Sequence, residues 1–250
     1  MHILLSFYPG DMHKPIYRFL ADRKWREYRR KILVQRTTQM KVTPDVIPHC
    51  DPIVETSLYF GRRTVQPGEF VDSKISLKPP TLSVNLFQRD EKLVTIAVAD
   101  PDVPNVEKDG FDFKIHFLAV NIPISTFSNE IDFSQLSADS QVVFPWLPPV
   151  AQKGSPYHRL SIVVFEQKDS APLDYAAIKA KETDRDNNLL RSWQGRYRLK
   201  PIGAHLFRTQ WDETTEQVMK EINFPSSDIE LRRKRIPPLP YKRRNPSSFR

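Results

Sequence analysis

Three stretches limit what this chain can become. Val94-Thr-Ile-Ala-Val-Ala99, Phe111-Asp-Phe-Lys-Ile-His-Phe-Leu-Ala-Val120 and Leu160-Ser-Ile-Val-Val-Phe165 are short, close to alternating, and rich in β-branched and aromatic side chains. A period of two marks strands that lay one face on a core. Strand signals dominate from about Phe60 to Phe224. Two helical patterns interrupt them, one near Asp174 to Lys181, the other from Asp212 through Val218 and Ile222 to a stop before Pro225. The predicted body is mainly β, closed by a last helix that Asp212 caps. With 7 glycines against 22 prolines in 250 residues, glycine-rich phosphate loops are not expected.

The charge is partitioned along the chain. Residues 1–50 hold 10 Lys/Arg and 4 Asp/Glu, and residues 226–250 hold 8 and 2, so each end is +6 while the middle is −4, giving the net +8. Solubility alone does not require positive charge to be gathered on two appendages around a mildly acidic body, so the ends read as polyanion contacts. Charge by itself does not choose between nucleic-acid phosphate and acidic lipid headgroups. The longest apolar runs fall far short of the roughly 20 residues of a membrane helix, so no membrane insertion is expected. The single Cys50 has no second thiol with which to build a disulfide or a Cys-rich zinc site, and no metal or cofactor is predicted.

From about Asp11 to Gln35 the pattern is helical, with Asp11 as a cap and Ile16, Phe19, Leu20, Trp25, Tyr28 and Ile32 as an apolar stripe. Arg23, Arg26, Arg29 and Arg30 lie among the cations around it. The alternatives are a solvated basic face on a core helix and a membrane-surface helix. No acid-free Arg/Ser-rich leader opens the chain. At the other end, Arg232, Arg233, Lys234, Arg235, Lys242, Arg243 and Arg244 flank Ile236-Pro-Pro-Leu-Pro240, with Tyr241 between them. Proline fixes φ and removes amide donors, so this tail is expected to run extended, with cations for phosphates and Tyr241 for base stacking. A nuclear-localisation-like run and a Pro-rich adaptor ligand are the competing readings. The resulting organisation is a basic helical extension (1–55), a β domain (56–225) and an extended basic tail (226–250).

Four segments resemble the phosphatidylethanolamine-binding protein family. They are Asp100-Pro-Asp-Val-Pro104, His116-Phe-Leu-Ala-Val-Asn121, Pro148-Pro149 with His158-Arg159 and Glu166-Gln167, and Arg196-Tyr197 with Gly203 and Gln210-Trp-Asp-Glu213. The resemblance implies a two-sheet antiparallel β fold with peripheral helices. It also implies an anion pocket built from Asp100, Asp102, His116, His158 and Arg159. This chain departs from the family's glycine-containing turn with Pro145-Trp146-Leu147, where Pro145 has no amide and the other two add side chains. The pocket is therefore expected to be blocked or reshaped, with small-anion binding lost and these residues kept as a polar network.

No Gly-x-Ser-x-Gly elbow surrounds Ser155 or Ser161, and no enzyme activity is expected. With basic extensions on both sides of such a body, the layout resembles the family's branch in the mitochondrial large ribosomal subunit. That resemblance implies a scaffold at the central protuberance in the matrix, partnered by ribosomal RNA and neighbouring large-subunit proteins. The alternative is a soluble anion- or phospholipid-binding protein or kinase scaffold.

Overall fold

The computed structural model describes residues 12–186, 188–224 and 229–232. A long N-terminal helix has three parts: α1 (Pro15–Lys24), a π-helical turn (Trp25–Arg29) and α2 (Arg30–Gln39), with the short α3 (Val42–Asp45) after it. The body then runs β1 (Glu55–Phe60), β2 (Arg63–Val65), β3 (Glu69–Phe70), α4 (Ser73–Ser76), β4 (Thr81–Asn85), β5 (Lys92–Asn105), β6 (Gly110–Ile124), β7 (Glu130–Asp132) and β8 (Val142–Phe144). It continues through β9 (His158–Glu166), α5 (Tyr175–Lys181), α6 (Leu190–Tyr197), β10 (Lys200–Thr209) and α7 (Thr215–Glu221).

The strands form two sheets, a four-stranded one in the order β2-β1-β4-β7 and a six-stranded one in the order β3-β10-β9-β5-β6-β8. The fold is mainly β with two sheets, as expected. The β3–β10 pair is parallel, in an otherwise antiparallel arrangement.

The six-stranded sheet is buried on both faces. Leu160, Ile162 and Val164 of β9 join Ile96 and Val98 of β5 in the core between the sheets. Val163 and Phe165, with Ala97 and Ala99, point the other way, onto Val42 and Ile47, Ile178 of α5 and Trp193 of α6. The alternation predicted half-buried strands, and here the structure differs. Even the polar members Thr95 and Ser161 are sealed from solvent, because helices cover the face that would otherwise be wet. Helix α6 was not expected. Its apolar residues, Leu190 and Trp193, are few and sit among polar ones beside Gly195, so its helicity comes from docking.

The N-terminal helix buries a different face from the predicted stripe. Of that stripe Trp25 is buried as expected, but Ile16, Phe19 and Leu20 are 57%, 61% and 49% exposed and Tyr28 is also exposed, and the row that faces inward is Ala21, Trp25, Leu33 and Thr37. Arg29 completes that inner row through an ion pair of 2.6 Å to Glu55. A row spaced strictly by four drifts around a 3.6-residue helix. The π turn at Trp25–Arg29 takes in an extra residue and returns the row to the body. Asp11, the expected cap, lies outside the described residues. Asp212 is not the N-cap of α7, a position Thr214 occupies. Its carboxylate instead accepts from the Thr214 amide at 2.9 Å and from the Ser73 amide at 2.8 Å, tying the approach turn to α4.

Gly203 lets β10 pack tightly against β1 of the other sheet. A Cβ there would lie 2.7 Å from Cγ2 of Val54 and 3.0 Å from Cγ2 of Thr56. Gly203→Ala is expected to cost about 1–3 kcal/mol by overpacking, seen as a lower urea midpoint at unchanged m-value. An unaltered midpoint would contradict this packing.

Candidate functional site

The site begins with an irregularity in β5. Its pairing with β6 shifts register between Asp100 and Val103, where Pro101 removes an amide that a regular ladder would use. Asp100 and Asp102, two residues apart, are then free to take different partners. Asp100 is fully buried and accepts from its neighbour's backbone, the Asp102 amide, at 2.9 Å. Its second oxygen accepts Nδ1–H of His158 at 2.6 Å.

Asp102 grips Arg159 from both ends of its carboxylate, accepting from Nε and Nη2 at 2.7 Å each. Nη1 of the same guanidinium donates to the Met40 carbonyl at 2.8 Å and to Asp45 at 3.0 Å. Arg159 therefore staples the segment after α2 to β9, and its pKa lies above the ordinary arginine value, chiefly through the bond to Asp102.

His116 is locked by a reciprocal pair of bonds. The Leu147 amide donates to the His116 carbonyl at 2.9 Å, and His116 Nδ1 lies 2.8 Å from the Leu147 carbonyl. A carbonyl only accepts, so Nδ1 carries a proton. Burial presses the His116 pKa down to about 4, against the pull of Asp100, and the ring is neutral at pH 7. Its Nε2 is then a bare lone pair, buried, 3.8 Å from the Asp100 carboxylate and without a hydrogen-bond partner. His158 behaves oppositely. Burial lowers its pKa, but the charge and hydrogen bond of Asp100 outweigh this and raise it, favouring the imidazolium.

A cavity of about 100 Å³ lies between these groups, with Asp100, Lys114, His116, Gln152 and His158 as polar walls and Leu147, Pro148, Ile222 and Phe224 among the apolar ones. Of the expected pocket set, Asp102 and Arg159 are not among the residues lining it. The cavity is reshaped but not filled. Trp146 turns away into the inter-sheet core, near Phe60 and Phe133, and its indole donates to the Ser76 carbonyl at 3.1 Å. The Leu147 amide, which could have faced an anion, is spent on His116. Arg185 fastens the same turn by donating to the His116 and Pro145 carbonyls, a role the sequence reading missed because Arg185 lies well away from every motif.

Ser155, His158 and Asp100 stand in the order of a Ser-His-Asp triad, with Oγ 3.4 Å from Nε2 of His158. The protons run the wrong way for acyl transfer. Ser155 donates to the Gln152 carbonyl at 2.8 Å, leaving its oxygen to accept from a His158 already favoured as the cation. A general base must be unprotonated and receive the hydroxyl proton. Among the described residues no group of three metal-ligating side chains comes together, and no helix is long and apolar enough to cross a membrane.

The second predicted site is the set of basic residues. Arg23 and Arg26 are exposed and pair with Glu27 and Asp22 one turn away, at 2.8 and 2.7 Å. Arg29 and Arg30 turn toward the body, the first to Glu55, the second to Asp51 and, at 2.9 Å, to the Pro52 carbonyl. Arg232 is exposed beside Glu230. Arg233, Lys234, Arg235, Tyr241, Lys242, Arg243 and Arg244 lie outside the described residues.

The molecule is thus a two-layer β body with helices on its outer face and a buried Asp-His pair at the end of its central strands. The phosphatidylethanolamine-binding protein family model matches residues 61–204, and the chain belongs to that family. It is also 29% identical over 231 residues to the large ribosomal subunit protein mL38 of Schizosaccharomyces pombe, an alignment covering 91% of this chain and 72% of that protein. Among solved structures, the phosphatidylethanolamine-binding protein from Plasmodium vivax superposes with a TM-score of 0.55 at 16% identity, covering 72% of this chain and 97% of that one. A carboxypeptidase Y inhibitor, solved in complex with its cognate proteinase, superposes with a TM-score of 0.57 at 14% identity, covering 73% and 96%. These two likenesses concern the fold.

His116 and His205 both have folded pKa values of about 4, lowered by burial from 6.5. Between those values the unfolded chain binds more protons than the folded one, so stability declines as pH falls from about 6.5 towards 4, at up to about 3 kcal/mol per histidine. His158, raised, acts in the opposite sense and above 6.5. Urea midpoints measured from pH 7 to pH 4.5 are expected to fall, and His205→Gln to remove about half of that slope. A flat profile would refute the neutral burial of both rings.

Proposed function

We propose that this chain is a structural, non-catalytic protein of the mitochondrial large ribosomal subunit, held in the matrix on ribosomal RNA and neighbouring subunit proteins by its two basic ends. The observation that carries this reading is the relationship to a large-subunit ribosomal protein, which runs over 91% of the chain and so extends beyond the family domain at 61–204. A relative that shared only a ligand-binding body would give no reason to align the appendages. The charge partition supports the same reading, because the cations lie on the ends while the body is mildly acidic.

The helix divides its labour. Exposed pairs one turn apart contribute only about 0.3–0.5 kcal/mol, so RNA phosphate readily displaces Glu27 and Asp22 from Arg23 and Arg26. Arg29 and Arg30 fix where that surface points, since they bind the body. The tail starts from a defined place. The Leu231 amide donates to the Lys153 carbonyl at 2.8 Å, and residues 229–232 lie so close over Gly154 that a Cβ there would be 1.8 Å from the Leu231 carbonyl oxygen. Arg232, exposed there, is the first of the tail cations assigned to phosphate. The rival reading, a soluble receptor for a phosphorylated ligand, needs donors in the cavity. The Leu147 amide and both nitrogens of His158 already have partners.

If about six cations meet phosphate, affinity for large-subunit RNA falls with salt at a log–log slope of roughly −4 to −5. Deleting residues 226–250 is expected to flatten that slope and to reduce co-sedimentation with the subunit on a gradient. Unchanged incorporation and salt sensitivity would overturn the tail as an anchor.

A further inference from the structure

We propose that the surface where β9 begins and β10 stops is a stacking platform for unpaired RNA bases, built from Arg208, Phe70, Tyr157 and Trp211. The inference rests on the reading of the basic ends as RNA contacts, and it adds a site on the body, where no charge run marks one. None of these four residues lines the cavity beside Asp100.

Register brings the platform together. β10 pairs with β3 so that Arg208 stands beside Phe70, and with β9 so that Thr209 stands beside His158, which puts Tyr157 at the same end. The Arg208 guanidinium lies 3.9 Å from the centre of the Phe70 ring and 5.3 Å from that of Tyr157. The two rings meet edge to face with centroids 6.0 Å apart. Nε of Arg208 donates to the Gly68 carbonyl at 2.7 Å, while Nη1 and Nη2 have no hydrogen-bond acceptor among the described residues. A little further along the chain, the Trp211 ring has the Lys153 ammonium 5.5 Å from its centre. Phe70, Tyr157 and Trp211 are all exposed, at 36%, 43% and 37%.

A guanidinium stacked on one ring has a second face on which a base can lie, and its uncommitted Nη hydrogens can meet phosphate or base-edge oxygens at the same time. Exposed rings beside cations take bases of any sequence, because every base has a π face. Position selects RNA over a protein partner. Met40, just after α2, packs next to Gly68, 3.7 Å from where a Cβ there would be, and Leu231 crosses over Gly154, close before Tyr157. The platform thus lies between the root of the basic helix and the root of the basic tail, and an RNA segment gripped by both runs across it. Nearby carboxylates leave that path open, since Glu69 is paired with Arg63 at 2.7 Å and Glu230 with Arg232 at 3.3 Å.

The test titrates the full chain with single-stranded oligoadenylate of about 12 nucleotides and, separately, with an abasic ribose-phosphate oligomer of the same length, over a range of salt. Oligoadenylate is expected to bind about tenfold or more tighter than the abasic backbone, which carries the same phosphates. Tyr157→Ala combined with Trp211→Ala is expected to remove that preference and to leave the salt slope and the abasic affinity unchanged, since a ring carries no charge. Arg208→Lys, which keeps the charge and loses the planar face, is expected to weaken oligoadenylate alone. If the double variant does not fold, fluorescence decides. Trp211 is the exposed one of the four tryptophans, so oligoadenylate is expected to quench emission in wild type and not in Trp211→Phe, which keeps a ring. Equal or no affinity for the two oligomers, as for a patch that docks protein, a base preference that survives the double substitution, or an absence of quenching would each overturn the platform. A flat salt slope with the base preference retained would instead overturn the anchoring role of the basic ends and leave the platform standing.

Discussion

The six-stranded sheet is covered on both faces, and that double coverage organises the rest of the molecule. A sheet wetted on one side tolerates polar groups there at no cost. One sealed on both sides must pair every polar atom it carries or lose stability. In this chain the sealing comes from the sheet β2-β1-β4-β7 on one face, and from α5, α6 and the segment after α2 on the other. The residues before β1 are thus part of the packing. Val42, Val46 and Ile47 complete a core that the strands alone leave open.

The same constraint explains the histidines. His116, His158 and His205 are all buried in this sheet, and the groups around each ring set its charge. His158 has a carboxylate on Nδ1 and leans towards the cation. His116 has a carbonyl on Nδ1, only a distant carboxylate on the other side, and stays neutral. Two imidazoles on one carboxylate therefore carry different protons. A symmetric pair of donors would welcome an anion, whereas this pair offers one engaged donor and one open acceptor. The turn Pro145-Trp146-Leu147 is the cause, since it supplies the carbonyl that orients His116 and uses up the amide that would have faced the ligand.

Much of this was legible beforehand, for identifiable reasons. Strands β5, β6 and β9 announce themselves by period and β-branching, and Asp174 was placed at the start of α5, where its side chain accepts from the Ala177 amide at 3.1 Å. Asp100, His116 and His158 could be picked out because they fall in segments that match motifs of the phosphatidylethanolamine-binding protein family. The burial of Thr95 and Ser161 was not legible, because alternation cannot tell a face that meets water from one that meets a helix. Nor was the role of Arg159, whose partner Met40 is 119 residues away. Ile16, Phe19 and Leu20 resembled a core stripe, yet a π turn further along the helix chose another row for burial.

Local pattern alone determined the mainly β class, the family motifs and the gathering of positive charge at the two ends, because each is a property of neighbouring residues or of their sum. Tertiary structure decided which face of each element is sealed, which arginines hold the body together, and which nitrogen of His116 is left bare. Those outcomes depend on hydrogen-bond partners brought together across tens of residues by the register of the sheets, and register is a property of the whole fold.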